Sequence, residues 1–513
     1  MSTLDTDDSR ADAILIEKGI VTALGTTAEV LARVEASADI PVVDLLGATV
    51  LPGLIDSHTH VEFCALSRDW LDVRGLPPEQ TLHRLRESIE GTEHDWLVAQ
   101  GTFGQDLPGR AELDSVSTTT PILVRESMHR LSANSAALMR AGIVRGYTSP
   151  RGTLVELDDD GEPTGRVDEG YHLFPVPSPG PERLEAMLEH ELRESFARHG
   201  VTTIFELPAT AAGVRAYQRL NASGRLPTRL GLTLTVAPGL NAILASVDQL
   251  AGIGLGSGFG DDRLWLNGVK LFLDGDHSSS YDSEHLSLSP SRWGTVTRHY
   301  ADLVRELVVA DGARLQVWIH AIGDLAQSVA LDAIEEARRA TGRRDRRTRL
   351  EHVGNLWVDE ALIERLRDLE VIPVPTAGFI HASDEKGVYA FRSLIEAGLT
   401  PPGNSDTGGT QPFATNPWFG VAAMLDRKNQ QGIVVNASEA VDVHTAVRTY
   451  SEFAAYAGGL EGRIGVLRIG SRGDCAVYRD DPRGASPDEL RDLEADLTIV
   501  DGRIVWRRGA RDD

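Results

Sequence analysis

The feature that most constrains this chain is an alternation, through its middle, of short apolar runs and amphipathic helical stretches. The strand-like runs are LIDSH (54–58), VTTIFEL (201–207), GLTLTVA (231–237) and LNGVKLFL (266–273). They continue with LQVWIH (315–320), TRLEH (348–352), VIPVP (371–375) and a last run closing at NSD (404–406). Between them, the stretch 182–199 sets Leu184, Leu188, Leu192 and Phe196 on one stripe and stops at Gly200. A second stripe runs through Ala326, Val329, Ala330, Ala333, Ile334 and Ala337 to Gly342, and a third carries Leu362, Leu366 and Leu369. Parallel strands need a crossover between neighbours, so strict βα alternation predicts an α/β fold with a parallel sheet. Eight such units close into a (β/α)8 TIM barrel.

The gap between the first and second strands, about 140 residues, is too long for a simple loop. It carries its own strand-like runs, WLVAQGTF and PILVRES, and reads as an inserted subdomain at about residues 64–180. Both chain ends differ from the middle. AILIE, IVTAL and PVVDLLGATVLP lie within 12–52, and DCAVYRD and LTIVDGRIVW lie near the C-terminus, with Asp501-Gly502 as a hairpin signal. The ends are expected to pair as a small discontinuous β-sandwich, residues 1–52 and 460–513, beside a barrel of residues 53–459.

An apolar fraction of 41% over 513 residues supports a real core and excludes a disordered or collagen-like chain. Cys64 and Cys475 lie far apart, so reduced thiols in a reducing compartment are expected. The opening MSTLDTDDSR lacks a basic and an apolar segment, and no apolar run approaches the ~20 residues that span a bilayer. The expected location is the cytoplasm, without membrane partners. A formal charge of −25 repels polyanions and argues against nucleic acid. The cluster RRDRRTR (343–349) is expected on a solvated loop. The chain uses four lysines, Lys18, Lys270, Lys386 and Lys428, against 47 arginines, which makes each lysine informative.

Chemistry enters at Asp56-Ser57-His58-Thr59-His60. Residues i and i+2 of a strand face the same way, so His58 and His60 converge on one side as half of a metal site. His320, His352 and Asp406 close later strands. The C-terminal ends of barrel strands meet at one mouth, which brings all five together. Lys270 lies inside the apolar run LWLNGVKLFLD, where a lone ammonium would cost several kcal/mol to desolvate. Burial favours its neutral amine, which can add carbon dioxide and become a carbamate able to bridge two cations. A salt bridge to Asp274 or Asp276, or a Schiff-base role, are the other readings.

These motifs make the chain similar to the amidohydrolase superfamily, in particular to the family-3 branch that includes N-substituted formamide deformylases. PGLIDSHTH resembles its opening metal motif and GVKLFLDG its bridging-lysine strand. HAIGD and EHVGN resemble its later histidine strands, and NSDTGG its final aspartate. LDVRG, SANSAALMRAGI, PTGRVDEG and NPWFGV match accessory stretches, so the likeness covers nearly the whole chain. The resemblance implies a first metal on His58, His60 and Asp406 and a second on His320 and His352, with carboxylated Lys270 bridging both. Zinc is the default, with manganese, iron or cobalt as alternatives.

It further implies hydrolysis of a C–N bond in a small amide, N-formyl or cyclic amide substrate by a metal-activated hydroxide. Asp406 would be the base and later the acid, and His129 would steady the developing oxyanion. Asp324 would orient a ligand histidine or cap a helix. Alternatives are a same-fold deaminase, a lactone or ester hydrolase, and a non-catalytic scaffold; a homodimer is the oligomeric expectation. GNSDTGG replaces the more usual GSDAP, and DGDHSSS replaces DGSLGS; both changes flank the expected substrate pocket.

Overall fold

The computed structural model describes residues 11–34, 40–90, 95–275, 297–344, 347–383 and 387–509. Seven of the eight expected central strands form one parallel sheet. They are β1 (Leu54–Thr59), β2 (Val201–Glu206), β3 (Arg229–Thr235), β4 (Leu264–Phe272), β5 (Gln316–His320), β6 (Arg349–Glu351) and β7 (Ile372–Val374), and their spatial order follows chain order. Val269 and Leu271 of β4 pack in the cluster shared with helices Tyr300–Gly312 and Asp324–Thr341. Side chains alternate along a strand, so Lys270 and Phe272 point to the opposite, inner side of the curled sheet. The register pairs Phe272 with His320, and His320 with Glu351, which levels the C-terminal ends of three strands.

The expected eighth strand at 404–406 is not a strand. Pro401 and Pro402 bring no N–H to a ladder, and Asp406 adopts φ 45°, outside extended geometry. The segment still lies along β1: Ser57 N donates to Gly403 O at 3.1 Å and Asp406 N to His58 O at 2.8 Å. On its other side the Asn404 side chain donates to Pro375 O and accepts from Thr376 Oγ1, both at 2.9 Å. The departure GNSD thus supplies a side-chain tie to the loop beyond β7.

The helix expected at 182–199 runs as α-helix over Pro181–Glu191, widens through Leu192–Phe196 and ends at Gly200 with φ 90°. Leu184, Leu188, Leu192 and Phe196 are all buried. The second helix stops at Gly342 with φ 68°, and the third, Glu360–Asp368, buries Leu362 and Leu366.

The long insertion builds a six-stranded mixed sheet from Leu71–Asp72, Leu97–Gln100, Ile122–Arg125, Arg130–Ala133, Leu154–Leu157 and Pro163–Asp168. It contacts the helix after β1 through buried Arg125, whose guanidinium lies 4.7, 4.7 and 4.5 Å from the rings of Phe63, Trp70 and Tyr171. The two chain ends also meet. Thr49–Pro52 pairs antiparallel with Cys475–Tyr478 in a four-stranded sheet completed by the hairpin Leu497–Val500 and Arg503–Arg507. Asp501 and Gly502 turn that hairpin with φ 53° and 75°. A separate hairpin, Ala13–Glu17 with Ile20–Gly25, bridges to it at Ile20 and Arg472. Cys64 and Cys475 are buried free thiols.

The expectation of a solvated loop at 343–349 holds for half-buried Arg343 and exposed Arg344 and is corrected at the end of the run. Arg347 pairs with Glu461, and Arg349 belongs to β6 with no exposure, its guanidinium 3.6 Å above the Trp318 ring. Residues 345–346 lie outside the described residues. Charge patterning alone misses this because the run passes from a loop into a buried strand, where Thr348, Arg349 and Leu350 are all enclosed. Among the described residues no helix is long and apolar enough to cross a membrane.

Gly200 tests the helix stop. A Cβ there would force a side chain into the left-handed region and against the Tyr478 hydroxyl. Gly200→Ala is expected to destabilise the fold by roughly 2 kcal/mol, read as a lower midpoint with unchanged slope in denaturant unfolding.

Candidate metal centre

The site begins with β1, where alternation puts His58 and His60 on the same side. Asp406 lies between them, its Oδ1 3.4 Å from His58 Nε2 and 3.3 Å from His60 Nε2. Donor atoms of these three residues all fall within 4.8 Å of one another. Asp56, two residues before His58 on the same strand, accepts backbone N–H bonds from Ser405 at 3.1 Å and His58 at 3.2 Å, and so ties the Asp406 segment to β1. Burial pushes the Asp56 carboxyl up to about 7 despite those bonds.

His320 and His352 extend the group. Their ring centroids are 4.6 Å apart, and the His58 and His352 centroids are 5.8 Å apart. His352 Nδ1 lies 3.7 Å from Asp406 Oδ2 and is buried without a hydrogen-bond partner among the described residues. His352 and Asp406 both hold left-handed backbone, φ 73° and 45°. Each such non-glycine residue costs on the order of 1 kcal/mol, a strain that fits side chains aimed by their surroundings.

Lys270 is buried on the same inner face, its Nζ 5.2 Å from the Phe272 ring centre, and Phe272 stacks on His320 at 5.0 Å. Burial drives its ammonium down to about 8, against the opposing pull of the Glu351 and Asp406 carboxylates. His129, from the insertion, has its ring centre 6.0 Å from that of His320 and lines one cleft with His320, His352 and Asp406. His129, His320, His352 and Asp406 therefore line one cleft, with His58 and His60 against Asp406 and Lys270 buried on the same inner face.

Partners absent from the sequence reading hold the imidazoles. His58 Nδ1 meets Glu351 Oε2 at 2.5 Å, which leaves Nε2 facing Asp406. Glu351 is gripped by Arg349, Nε to Oε1 at 2.8 Å and Nη2 to Oε2 at 3.0 Å. Burial alone would raise the Glu351 carboxyl, but Arg349 and His58 pull it well below the usual range. His320 Nδ1 lies 3.0 Å from Asp274 Oδ1, and Asp274 also accepts from Ile322 N and Gly323 N. Asp274 thus orients His320, the role considered for Asp324. Asp324 instead opens the helix that follows, capped by Gly323. Asp276, weighed as a partner for Lys270, lies outside the described residues. The alternation Arg349-x-Glu351 was the available signal for the Glu351 network, because i and i+2 share a strand face.

The donor set fits a cation. Burial lowers the His58 imidazole to about 4 and that of His352 well below its ordinary value, so both offer neutral lone pairs. Burial works against ionised Asp406, yet His58, His60 and His352 keep its carboxyl well below the usual range. Imidazoles converging on a carboxylate, with His58 aimed by Glu351 and His320 by Asp274 at the far nitrogen, form a metal-ready arrangement.

Residues 41–506 match the model of the amidohydrolase family. The chain belongs to that family. It is 28% identical to the N-substituted formamide deformylase of Arthrobacter pascens, over 99% of this chain and 97% of that enzyme. It is 27% identical to the putative amidohydrolase YtcJ of Bacillus subtilis, over 99% and 98%. The fold matches the crystal structure of an uncharacterized metal-dependent hydrolase from Pyrococcus horikoshii with TM-score 0.74 and 24% identity, covering 95% of this chain and 97% of that one.

Glu351→Gln removes the charge that holds His58 and satisfies Arg349. Affinity of the metal-stripped protein for zinc, measured by calorimetric titration, is expected to fall about 10–100-fold. Unchanged affinity would remove His58 orientation from the account.

Proposed function

We propose that this amidohydrolase cleaves the C–N bond of a small amide, an N-formyl compound or a cyclic amide with two bound divalent cations, zinc by default. The convergence of four histidines, buried Lys270 and Asp406 on one cleft carries this reading. His58, His60 and Asp406 would hold one cation, and His320 and His352 the other. Lys270, as a carbamate, would bridge the two. Its burial favours the neutral amine that carbon dioxide requires, against the pull of the Glu351 and Asp406 carboxylates.

Bound divalent cations polarise a carbonyl and make water acidic enough to act as a nucleophile near neutral pH. Asp406 then takes the proton of the attacking water and returns it to the leaving nitrogen, so the N–C bond breaks as a neutral amine departs. His129 reaches the cleft from the insertion and steadies the oxygen that gains negative charge. The 403–406 segment would serve as the eighth member of a (β/α)8 barrel over residues 53–459, with the insertion at about 64–180. The segments 1–52 and 460–513 would form a composite β-sandwich. We place this enzyme in the cytoplasm, acting on small molecules; its strong negative charge repels nucleic acid.

Purified protein is expected to contain close to two metal equivalents by elemental analysis, and Lys270→Ala to lose metal and activity together. Full metal content and normal turnover in that variant would end the carbamate reading. Asp406→Asn is expected to lower kcat by about 10²–10⁴-fold on whichever N-formyl, N-acyl or cyclic amide a hydrolysis screen identifies. A loss of only a few-fold would move the proton-transfer role to another group.

A further inference from the structure

The antiparallel strands Arg130–Ala133 and Pro163–Asp168 end with Arg130 opposite Asp168. The next residues along the two chains are His129 and Glu169, and they continue the pairing: Glu169 N donates to His129 O at 2.6 Å. Their side chains pair as well. His129 Nδ1 lies 3.0 Å from both carboxylate oxygens of Glu169. Glu169 is buried and does this from left-handed backbone, φ 56°. A glutamate in that region costs on the order of 1 kcal/mol, which the surrounding structure must hold.

The two residues face different ways. His129 lines the cleft that also contains His320, His352 and Asp406, whereas Glu169, held against His129 Nδ1, is not among its described lining residues. Ionised carboxylate oxygens only accept, so Nδ1 carries hydrogen toward Glu169 and Nε2 is the ring's opposite nitrogen. When the ring is protonated at both nitrogens, Nε2–H donates to the developing oxyanion and the buried carboxylate offsets the imidazolium charge.

We propose that Glu169 is the positioning residue for His129: its carboxylate fixes the ring edge and charge with which His129 meets the substrate oxygen. The proposal rests on the reading of His129 given above. Glu169 touches no reacting atom, so its contribution passes entirely through His129.

A double-mutant cycle with metal-loaded enzyme and the best amide substrate tests this. Glu169→Ala is expected to lower kcat about 10–100-fold, with KM changed by less than about threefold and metal content unchanged. In a His129→Ala background the same substitution should change kcat by less than about threefold. Equal losses in both backgrounds would make Glu169 a support of the insertion alone and overturn the proposal. Glu169→Gln keeps shape and packing; its loss of kcat should also vanish in the His129→Ala background, and persistence there overturns the proposal.

A second readout is independent of turnover. In metal-free, ¹⁵N-histidine-labelled protein, the His129 signals should show a protonated Nδ1 that is lost in Glu169→Ala. Signals unchanged by the substitution would overturn the proposal. Full activity of His129→Ala alone would instead sink the prior assignment of His129, a result separable from failure of the Glu169 coupling.

Discussion

A buried ionic chain, Arg349 to Glu351 to His58, underlies the rest of the site. Arg349 has no exposure, stacks on Trp318 and gives two hydrogen bonds to Glu351, which in turn holds His58 Nδ1. A guanidinium and a carboxylate cannot both leave water unless each satisfies the other, so the pair is fixed in place once the strands assemble. That fixes the His58 ring, and with it the direction of the nitrogen that faces Asp406. Truncating any one member leaves a buried charge behind, which makes the chain a point of fold specificity as well as of chemistry.

The same logic repeats around the cleft. Asp274 holds the far nitrogen of His320, Glu169 that of His129, and Asp56 anchors the backbone of both β1 and the Asp406 segment. Acidic groups behind imidazoles orient them and raise their basicity, so few contacts directed into the cleft need a large polar support behind it. Left-handed backbone at Glu169, His352 and Asp406 concentrates local strain where direction matters most. The insertion contributes to this arrangement directly, since His129 and Glu169 both sit at the ends of its paired strands.

The strands and helices carried clear sequence signals. AILIE, the hairpin at Asp501-Gly502 and the stripe ending at Gly200 all appear where periodicity and turn chemistry put them. The 404–406 run fails as a strand because two prolines and a left-handed aspartate interrupt the ladder, although the segment keeps its position beside β1. The arginine-rich stretch was read by average composition, which says nothing about which single guanidinium turns inward. Arg349 does so because Glu351 and Trp318 await it inside the sheet.

The candidate ligands and the family resemblance are legible in the chain alone, because period-two alternation and short motifs are local properties. Which carboxylate aims His58, His320 and His129 is set by the fold. Glu351 is 293 positions from His58, Asp274 is 46 from His320, and Glu169 is 40 from His129. Such pairings depend on strand register and on which face of a sheet is buried, and a hydrogen bond of about 3 Å is set by those global choices rather than by neighbours in sequence.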